Sequence, residues 1–235
     1  MPSPPDPFRP RPRVALLVET SVAPGRQILR GIAQYQRENR PCSVYHQPGA
    51  LVDIIPRFIQ ERWPSDAIIA RLLNDDALSA VKASGLPAVD VLGIANDGSI
   101  PLVHVDDRAI ALAAADHLIE CGFRHFGYYG NVDTYFSQAR KRAFIDRTSP
   151  HTSAPPAVLE VPLRRHGVGA WEALQSQLIN WLRSLARPVG IMVATDARGH
   201  ELLEACRRAE ITVPEELAVI SVDNDEPLCE VCNPP

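Results

Sequence analysis

Short apolar runs alternate with amphipathic segments of helical length along most of the chain, and this alternation is what most limits its fold. The series begins at Arg13 to Val18, a continuous apolar run that is typical of a strand buried on both faces. Gln27 to Gln36 follows with apolar residues at helical spacing. Because parallel strands need a crossover between them, repeated strand and helix units predict an α/β fold with parallel sheets covered on both faces.

The same pattern predicts the remaining elements of the chain. Further strands are predicted at 42–46, 67–70, 88–92, 102–105, 125–129, 158–161, 190–194 and 217–222. Further helices are predicted at 54–61, 76–84, 107–121, 137–146, 170–185 and 197–209. These units exceed one compact sheet, and the turn-rich stretch from Gly93 to Ser99 indicates a change of subdomain just after it.

The chain is therefore predicted to hold two doubly wound parallel-sheet subdomains with a ligand cleft between them. Residues 1–10 form a Pro-rich tail that cannot pack, 11–103 the first subdomain and 104–235 the second. In sheets of this kind a ligand lies at the carboxyl ends of the strands, so the polar residues at those points are the candidates for a site.

The charge balance limits the partners of these residues. Lys and Arg number 24 against 28 Asp and Glu, and the formal charge of −4 offers no basic excess for the phosphate backbone of nucleic acids. No window approaches the ~18 apolar residues that a membrane span needs, and the N-terminal segment has prolines where a signal peptide would have an apolar core. A cytoplasmic protein without membrane contact is expected.

The cysteines are an odd number scattered through a long chain, which favours reduced thiols over a disulfide framework. Cys229 and Cys232 have C-x-x-C spacing, but they lack a second pair, a nearby histidine and the strand-to-helix context of a redox site. A metal or redox role is therefore disfavoured. The five residues are Cys42, Cys121, Cys206, Cys229 and Cys232.

Polar side chains follow several predicted strands at the point where each strand ends. Asp223 and Asn224 come after the last strand, and Arg140 lies on the helix after the strand at 125–129. A polyhydroxylated ligand requires a carboxylate that accepts from vicinal hydroxyls, with amide and guanidinium donors beside it. Alternatively, Asp223 and Asn224 cap a following helix and Arg140 is solvated. Other polar groups at strand ends are Arg26, Arg71, Asp196 and Arg198.

Catalytic motifs are missing from the sequence. It has no G-x-G-x-x-G or P-loop phosphate loop, no G-x-S-x-G elbow and no H-E-x-x-H pair, and Thr20 to Gly25, after the first strand, has a single glycine. No catalytic residue, cofactor or metal is predicted, and the chain is not expected to be an enzyme. A small-molecule enzyme on a doubly wound fold is the alternative, because sites assembled in space escape a motif search.

Several segments resemble the xylose operon regulators of the XylR type, whose first two-thirds are similar to the LacI/GalR sensors. They are Gly25-Arg-Gln-Ile-Leu-Arg-Gly31, Asp196-Ala-Arg198 and Val222-Asp-Asn-Asp225. Two further stretches resemble the wider superfamily. They are the Asp116-His-Leu118 part of a helix with the following Cys121 to Gly127, and the strand region Val213 to Ile220. The order and spacing of these segments over about residues 11 to 235 are more specific than any one of them.

The resemblance implies a periplasmic-binding-protein-like type I fold that closes like a hinge on xylose or a similar pentose. The family's sugar-binding Asp-Asn pair falls on Asp223 and Asn224, its arginine falls on Arg140, and Arg26 faces the pocket from the other subdomain. The further ligand-binding candidates are Arg198, Asp196 and Arg71.

The resemblance also implies partners. An aromatic face, Tyr135 or Phe136, is expected against the sugar ring, and the intact family forms homodimers. The family binds operator DNA through a C-terminal AraC-type double helix-turn-helix, and neither this module nor a LacI-type N-terminal one is found in these residues. A truncated sensor of a transcriptional regulator is therefore expected. A transporter-type sugar-binding protein shares the fold but requires a signal peptide.

Overall fold

The computed structural model describes residues 11–39, 41–46, 48–49, 64–152, 154–163 and 167–234. The tail at 1–10 and the predicted helix at 54–61 lie outside these residues. The chain divides into two compact units between Val105 and Asp106, whereas the sequence places the boundary after residue 103. Each unit contains one parallel sheet, as predicted for an α/β chain with two doubly wound subdomains.

The first unit is built on a four-stranded parallel sheet with strand order β2-β1-β3-β4. Ala15 and Leu17 of β1 pack with Ile68 and Ala70 of β3 and with Val81 of a helix in one apolar cluster. The two central strands therefore carry the core, as their apolar runs predict. The elements are β1 (Arg13–Leu17), α1 (Ala23–Glu38), β2 (Ser43–His46), β3 (Ala67–Ala70), α2 (Asp75–Ala83) and β4 (Ala88–Asp90).

The second unit repeats the arrangement with strand order β6-β5-β7-β8, again all parallel. Its strands are β5 (His125–Asn131), β6 (Ala157–Val161), β7 (Val189–Val193) and β8 (Leu217–Ile220). Its helices are α3 (Asp107–Glu120), α4 (Tyr135–Thr148), α5 (Val168–Arg183), α6 (Asp196–Arg208) and α7 (Glu226–Glu230), with a 3-10 turn at Ser149–His151.

Helices cover both faces of the second sheet, and alternation along β5 shows how. Tyr128 packs with Phe144 of α4 in one apolar cluster, whereas its neighbour Tyr129 packs with Leu178 of α5 in another. All five residues of β7 are buried, because this central strand has a helix layer on each side. None of the helices among the described residues is long and apolar enough to cross a membrane.

The strand predicted at 102–105 is wrong. Only Leu102 forms an isolated parallel bridge, to Asp90, and the chain beyond it runs without strand structure to α3. Val103 is 65% exposed and Val105 is 56% exposed, so the apolar residues of this stretch do not mark a buried strand. These apolar residues lack a packed layer that would stabilise them as a strand.

Candidate functional site

The carboxyl ends of β5, β7 and β8 lie side by side, because these parallel strands are neighbours in the second sheet. The segments that follow them carry the predicted residues Asp196, Arg198, Asp223 and Asn224, and α4 carries Arg140. This edge is where doubly wound sheets bind ligands.

Arg140 is held in a buried ion pair. Its Nε donates to Asp107 Oδ1 at 2.8 Å and its Nη1 donates to the carbonyl oxygen of Ala194 at 2.6 Å. Both charged side chains are 5% exposed, and the guanidinium lies 5.1 Å from the centre of the Phe136 ring. Since a desolvated charge needs a partner, Asp107 and Arg140 stabilise each other and fix the start of α3 against the end of β7.

Asp107 was not found by the sequence reasoning. A carboxylate in the first turn of a helix has an ordinary explanation in the helix dipole, so it gives no functional signal by itself. Only the fold shows that Arg140, the predicted sugar-binding arginine, has this carboxylate as its partner.

Asp196 holds the loop that follows β8 through hydrogen bonds. Its carboxylate accepts hydrogen bonds from the Ser221 hydroxyl and, at 2.6 Å, from the backbone N–H of Asp225. The backbone N–H of Asp196 donates to the carbonyl oxygen of Val222 at 3.0 Å. The first residue of α6 thereby holds both ends of the loop that contains Asp223 and Asn224.

Asp223 and Asn224 have φ angles of 114° and 53°, in the left-handed region that most side chains avoid. Asp and Asn tolerate this region better than other non-glycine residues, and strained backbone concentrates at ligand sites. The predicted alternative was a helix cap, but the N-cap residue of α7 is Asp225, which makes no side-chain capping bond. Neither residue of the pair therefore occupies the N-cap position of α7.

Arg198 is bonded to protein acceptors at all three of its guanidinium nitrogens. Nε donates to Asn131 Oδ1 at 2.7 Å, Nη1 donates to both carboxylate oxygens of Glu201, and Nη2 donates to the carbonyl oxygens of Pro162 and Leu163 at 3.0 and 3.1 Å. The side chain is 6% exposed. Arg198 thus ties the ends of β5 and β6 to α6.

Glu201 also accepts a hydrogen bond from the Tyr129 hydroxyl at 2.6 Å. Burial of Tyr129, together with the negative charge of Glu201, raises the pKa of the phenol well above its usual value. Tyr129, Glu201 and Arg198 form one polar network. The sequence patterns did not reveal this network.

Two buried polar atoms at the end of β5 have no hydrogen-bond partner among the described residues. They are Asn131 Nδ2, in a residue that is fully buried, and Thr134 Oγ1, in a residue that is 2% exposed. Buried polar groups are almost always bonded to protein, water or ligand. The edge that carries the predicted residues therefore also has unused hydrogen-bonding capacity.

The first unit has its own polar edge at the ends of β1 and β3. Glu19 and Arg71 form a short ion pair there, with side chains 9% and 11% exposed. Burial raises the pKa of Glu19, and the charge of Arg71 opposes this shift. Arg26 Nη1 donates to the carbonyl oxygen of Thr20 at 3.0 Å, so both arginines predicted for this unit contact the segment after β1.

A metal site does not emerge from the described residues, which contain no group of three or more potential ligands. The polar edges instead combine carboxylates, amides and guanidinium groups. These groups both accept and donate hydrogen bonds, as a neutral polyhydroxylated ligand requires.

Comparison with known proteins adds independent information. The family described as periplasmic binding protein-like domain matches residues 115–235. The xylose operon regulatory protein of Haemophilus influenzae is 30% identical over 91% of this chain and 56% of its own length. The protein of the same name from Escherichia coli K12 is 29% identical over 93% of this chain and 56% of its own length.

A solved structure of the xylose-binding transcription activator xylR is also similar, with a TM-score of 0.76 and 25% sequence identity. The match covers 93% of this chain and 56% of that one. The chain thus spans little more than half the length of the relatives it matches. The similarity to these relatives extends through both units. The family match covers the predicted site residues of the second unit, which are Arg140, Asp196, Arg198, Asp223 and Asn224.

Proposed function

Because the chain belongs to the periplasmic binding protein-like domain family, we propose that it is the sugar-sensing domain of a cytoplasmic, DNA-binding transcriptional regulator. The observation that carries this proposal is its similarity, along more than nine-tenths of the chain, to proteins named as xylose operon regulators. These relatives are named as regulators rather than as enzymes. The proposed effector is a pentose, with xylose first.

Asp223 and Asn224 are the proposed primary sugar contacts. Asp223 is partly buried and Asn224 is exposed. The loop that Asp196 holds through hydrogen bonds therefore presents both a carboxylate and an amide. A carboxylate accepts hydrogen bonds from two vicinal hydroxyls, and an amide donates to one hydroxyl while accepting from another. The left-handed backbone of the pair fixes their orientation before the ligand arrives, which reduces the entropic cost of binding.

Arg140 is the proposed donor from α4. Its Nε and Nη1 are bonded to Asp107 and Ala194, and we assign Nη2 to a sugar hydroxyl. Because the Asp107 pair fixes the guanidinium, the arginine needs no reorganisation on binding. The exposed ring of Tyr135, or the Phe136 ring under Arg140, supplies the apolar face for the sugar carbons.

The remaining predicted residues are proposed either to position loops or to contact the sugar. Asp196 and Arg198 position the loops around the sugar through the bonds already described, and direct contact from either one stays a prediction. Arg26 and Arg71 are the proposed contacts from the first unit, where Arg71 is bonded to Glu19.

The regulatory output is the part of the proposal that involves a second module. Sugar binding shifts the equilibrium between two conformations of the sensor, and the shift is limited by the difference in sugar affinity between them. We propose that this shift is transmitted, in a homodimer, to a DNA-binding module.

Calorimetric titration tests the sugar site. Xylose is expected to release heat with a measurable Kd, and Asp223→Ala is expected to weaken binding by at least ~10-fold, the cost of one or two charge-assisted hydrogen bonds. Asp146→Ala is the matched control, since this exposed aspartate lies on α4 away from the strand ends. Binding that Asp223→Ala leaves unchanged, or no binding of any pentose, would overturn the proposal.

A further inference from the structure

Two cysteines lie just beyond the loop that presents Asp223 and Asn224. Cys229 lies in α7, Cys232 lies shortly after its end, and both are partly exposed. The backbone N–H of Cys232 donates to the carbonyl oxygen of Cys229 at 3.0 Å. A turn closed in this way keeps its end Cα atoms within ~7 Å, and disulfides span Cα separations of ~4.4–6.8 Å. The backbone therefore holds the two residues at a Cα separation that a disulfide can span, and the Cys232 thiol, which donates to the carbonyl oxygen of Leu228 at 3.3 Å, has to rotate to form the bridge.

Both cysteines also line one cavity, of about 530 Å³, in the second unit. The walls are mostly apolar, with Leu203 and Val219 among them, and Asp196 lies in the same lining. A cavity of this volume admits small molecules. An oxidant such as a peroxide can therefore approach the thiols without unfolding of the chain.

Asp225 connects Cys229 to the sugar loop. The backbone N–H of Cys229 donates to the carbonyl oxygen of Asp225 at 2.9 Å, and burial together with the negative charge of Asp196 raises the pKa of both thiols. Asp196 is the same residue that accepts from Ser221 and from the backbone of Asp225. The helical turn that contains Cys229 is thus bonded to Asp225, the residue that Asp196 holds, and a distortion of this turn changes the loop that contains Asp223 and Asn224.

We propose that Cys229 and Cys232 form a reversible disulfide on exposure to hydrogen peroxide, and that this disulfide weakens ligand binding at the Asp223-Asn224 loop. The first half of the proposal depends only on the geometry of the cysteines, whereas the second half rests on the proposed function. In the sequence, this C-x-x-C spacing lacks a second pair, a nearby histidine and a strand-to-helix context, which disfavours a redox role. The shared turn, the shared cavity and the backbone hydrogen bond from Cys229 to Asp225 are what the fold adds.

The chemistry balances with one peroxide for each disulfide. One thiol loses its proton and attacks a peroxide oxygen, which forms an S–O bond, breaks the O–O bond and releases water, leaving a sulfenic acid. The second thiol loses its proton and attacks the sulfenic sulfur, which forms the S–S bond, breaks the S–O bond and releases a second water. The sulfurs give up two electrons in total, and a dithiol reductant returns them.

Mass spectrometry of the peroxide-treated chain tests disulfide formation. After free thiols are blocked with N-ethylmaleimide, the peptide with Cys229 and Cys232 is expected to be unlabelled, lighter by two hydrogens and restored by dithiothreitol. Cys121→Ser, which removes an exposed cysteine at the end of α3, is the matched control and is expected to leave this bridge intact. Full labelling at 229 and 232 under conditions that oxidise Cys121 would overturn the proposal.

Titration of the reduced and oxidised chain with xylose tests the regulatory half. The affinity is expected to fall at least ~5-fold on oxidation, as for the loss of about one backbone hydrogen bond at Asp225, and to recover on reduction. Cys232→Ser, which forms no bridge, is expected to bind equally before and after peroxide. Equal affinity in both states of the bridged chain would overturn the regulatory half. No xylose binding in either state, with the disulfide formed, would instead count against the proposed function.

Discussion

Arg140 Nε lies 2.8 Å from Asp107 Oδ1, and this contact joins the first turn of α3 to the middle of α4 with both side chains 5% exposed. Removal of one partner leaves the other charge buried without compensation. Asp107→Ala is therefore expected to lower the free energy of unfolding by ~3–5 kcal/mol in urea titrations.

The exposed ion pair of Arg147 and Asp116 is the control for this prediction. Its side chains are 42% and 44% exposed, and solvent screens their attraction. Asp116→Ala is therefore expected to change the free energy of unfolding by less than ~1 kcal/mol. Similar losses of unfolding free energy in Asp107→Ala and Asp116→Ala would show that leaving the buried Arg140 without its partner costs no more than breaking an exposed ion pair.

Asn224 provides a test that separates the fold from the ligand site. With φ at 53°, a β-branched residue is strained, so Asn224→Val is expected to lower the unfolding free energy by ~1–3 kcal/mol. Glycine adopts this backbone readily, so Asn224→Gly is expected to stay within ~0.5 kcal/mol of the parent. Both variants lose the amide and are expected to lose xylose affinity, which calorimetry would measure. A glycine variant that is less stable than the valine variant contradicts the backbone argument.

The fold could be predicted from the sequence because the central strands of the two sheets are apolar runs that pack in the core. In β7 every residue is buried under helices on both faces, and the predicted strand at 190–194 lies one residue from the observed Val189–Val193. The prediction failed at 102–105, where three of the four residues are apolar but remain exposed. Sequence patterns report the apolar character of a residue and not the presence of a neighbour.

The candidate site could be predicted only as a set of strand ends. The polar networks join residues far apart in the chain, such as Arg140 with Asp107 at a separation of 33 residues and Arg198 with Asn131 at 67. No local spacing encodes such pairs, so Asp107, Asn131 and Glu201 remained unrecognised. The residues that the sequence did single out, Asp223 and Asn224, stood out because they directly follow a predicted strand.

Glu19 predicts a specific dependence of stability on pH. Burial raises its folded-state pKa above the ordinary 4.5, so its favourable contribution is complete at low pH and is lost as the pH rises through the folded-state pKa. Glu19→Gln removes this titration. The stability of Glu19→Gln relative to the parent chain is therefore expected to increase as the pH rises above 4.5, in urea titrations at several pH values.

Glu216 is the control with the opposite sign. Hydrogen bonds from Thr212, and then from Arg187, lower its pKa to about 2, so its contribution is present above the ordinary pKa of 4.5 and is lost as the pH falls toward 2. Glu216→Gln is expected to lose stability relative to the parent as the pH rises from 2 to 4.5. Parallel pH trends for the two glutamine variants would contradict the assignment for Glu19.

Gly130 tests how closely the end of β5 is packed. A Cβ atom at this position would lie 2.5 Å from Ser137 Oγ and 2.5 Å from Tyr128 Cε1, and Ser137 Oγ also accepts from the backbone N–H of Asn131 at 2.8 Å. Gly130→Ala must displace these buried groups and is expected to lower the unfolding free energy by ~1–3 kcal/mol.

Gly169, in the first turn of α5, is the matched control because a Cβ there would meet nothing within 4 Å. Gly169→Ala is expected to be neutral or to stabilise the chain by up to ~1 kcal/mol, since alanine restricts the unfolded state. If sugar binding requires the end of β5 in its observed position, Gly130→Ala also weakens xylose binding while Gly169→Ala does not. Equal stability of the two variants would show that Ser137 and Tyr128 move aside at little cost in free energy. The end of β5 would then not hold Asn131 in place for a ligand.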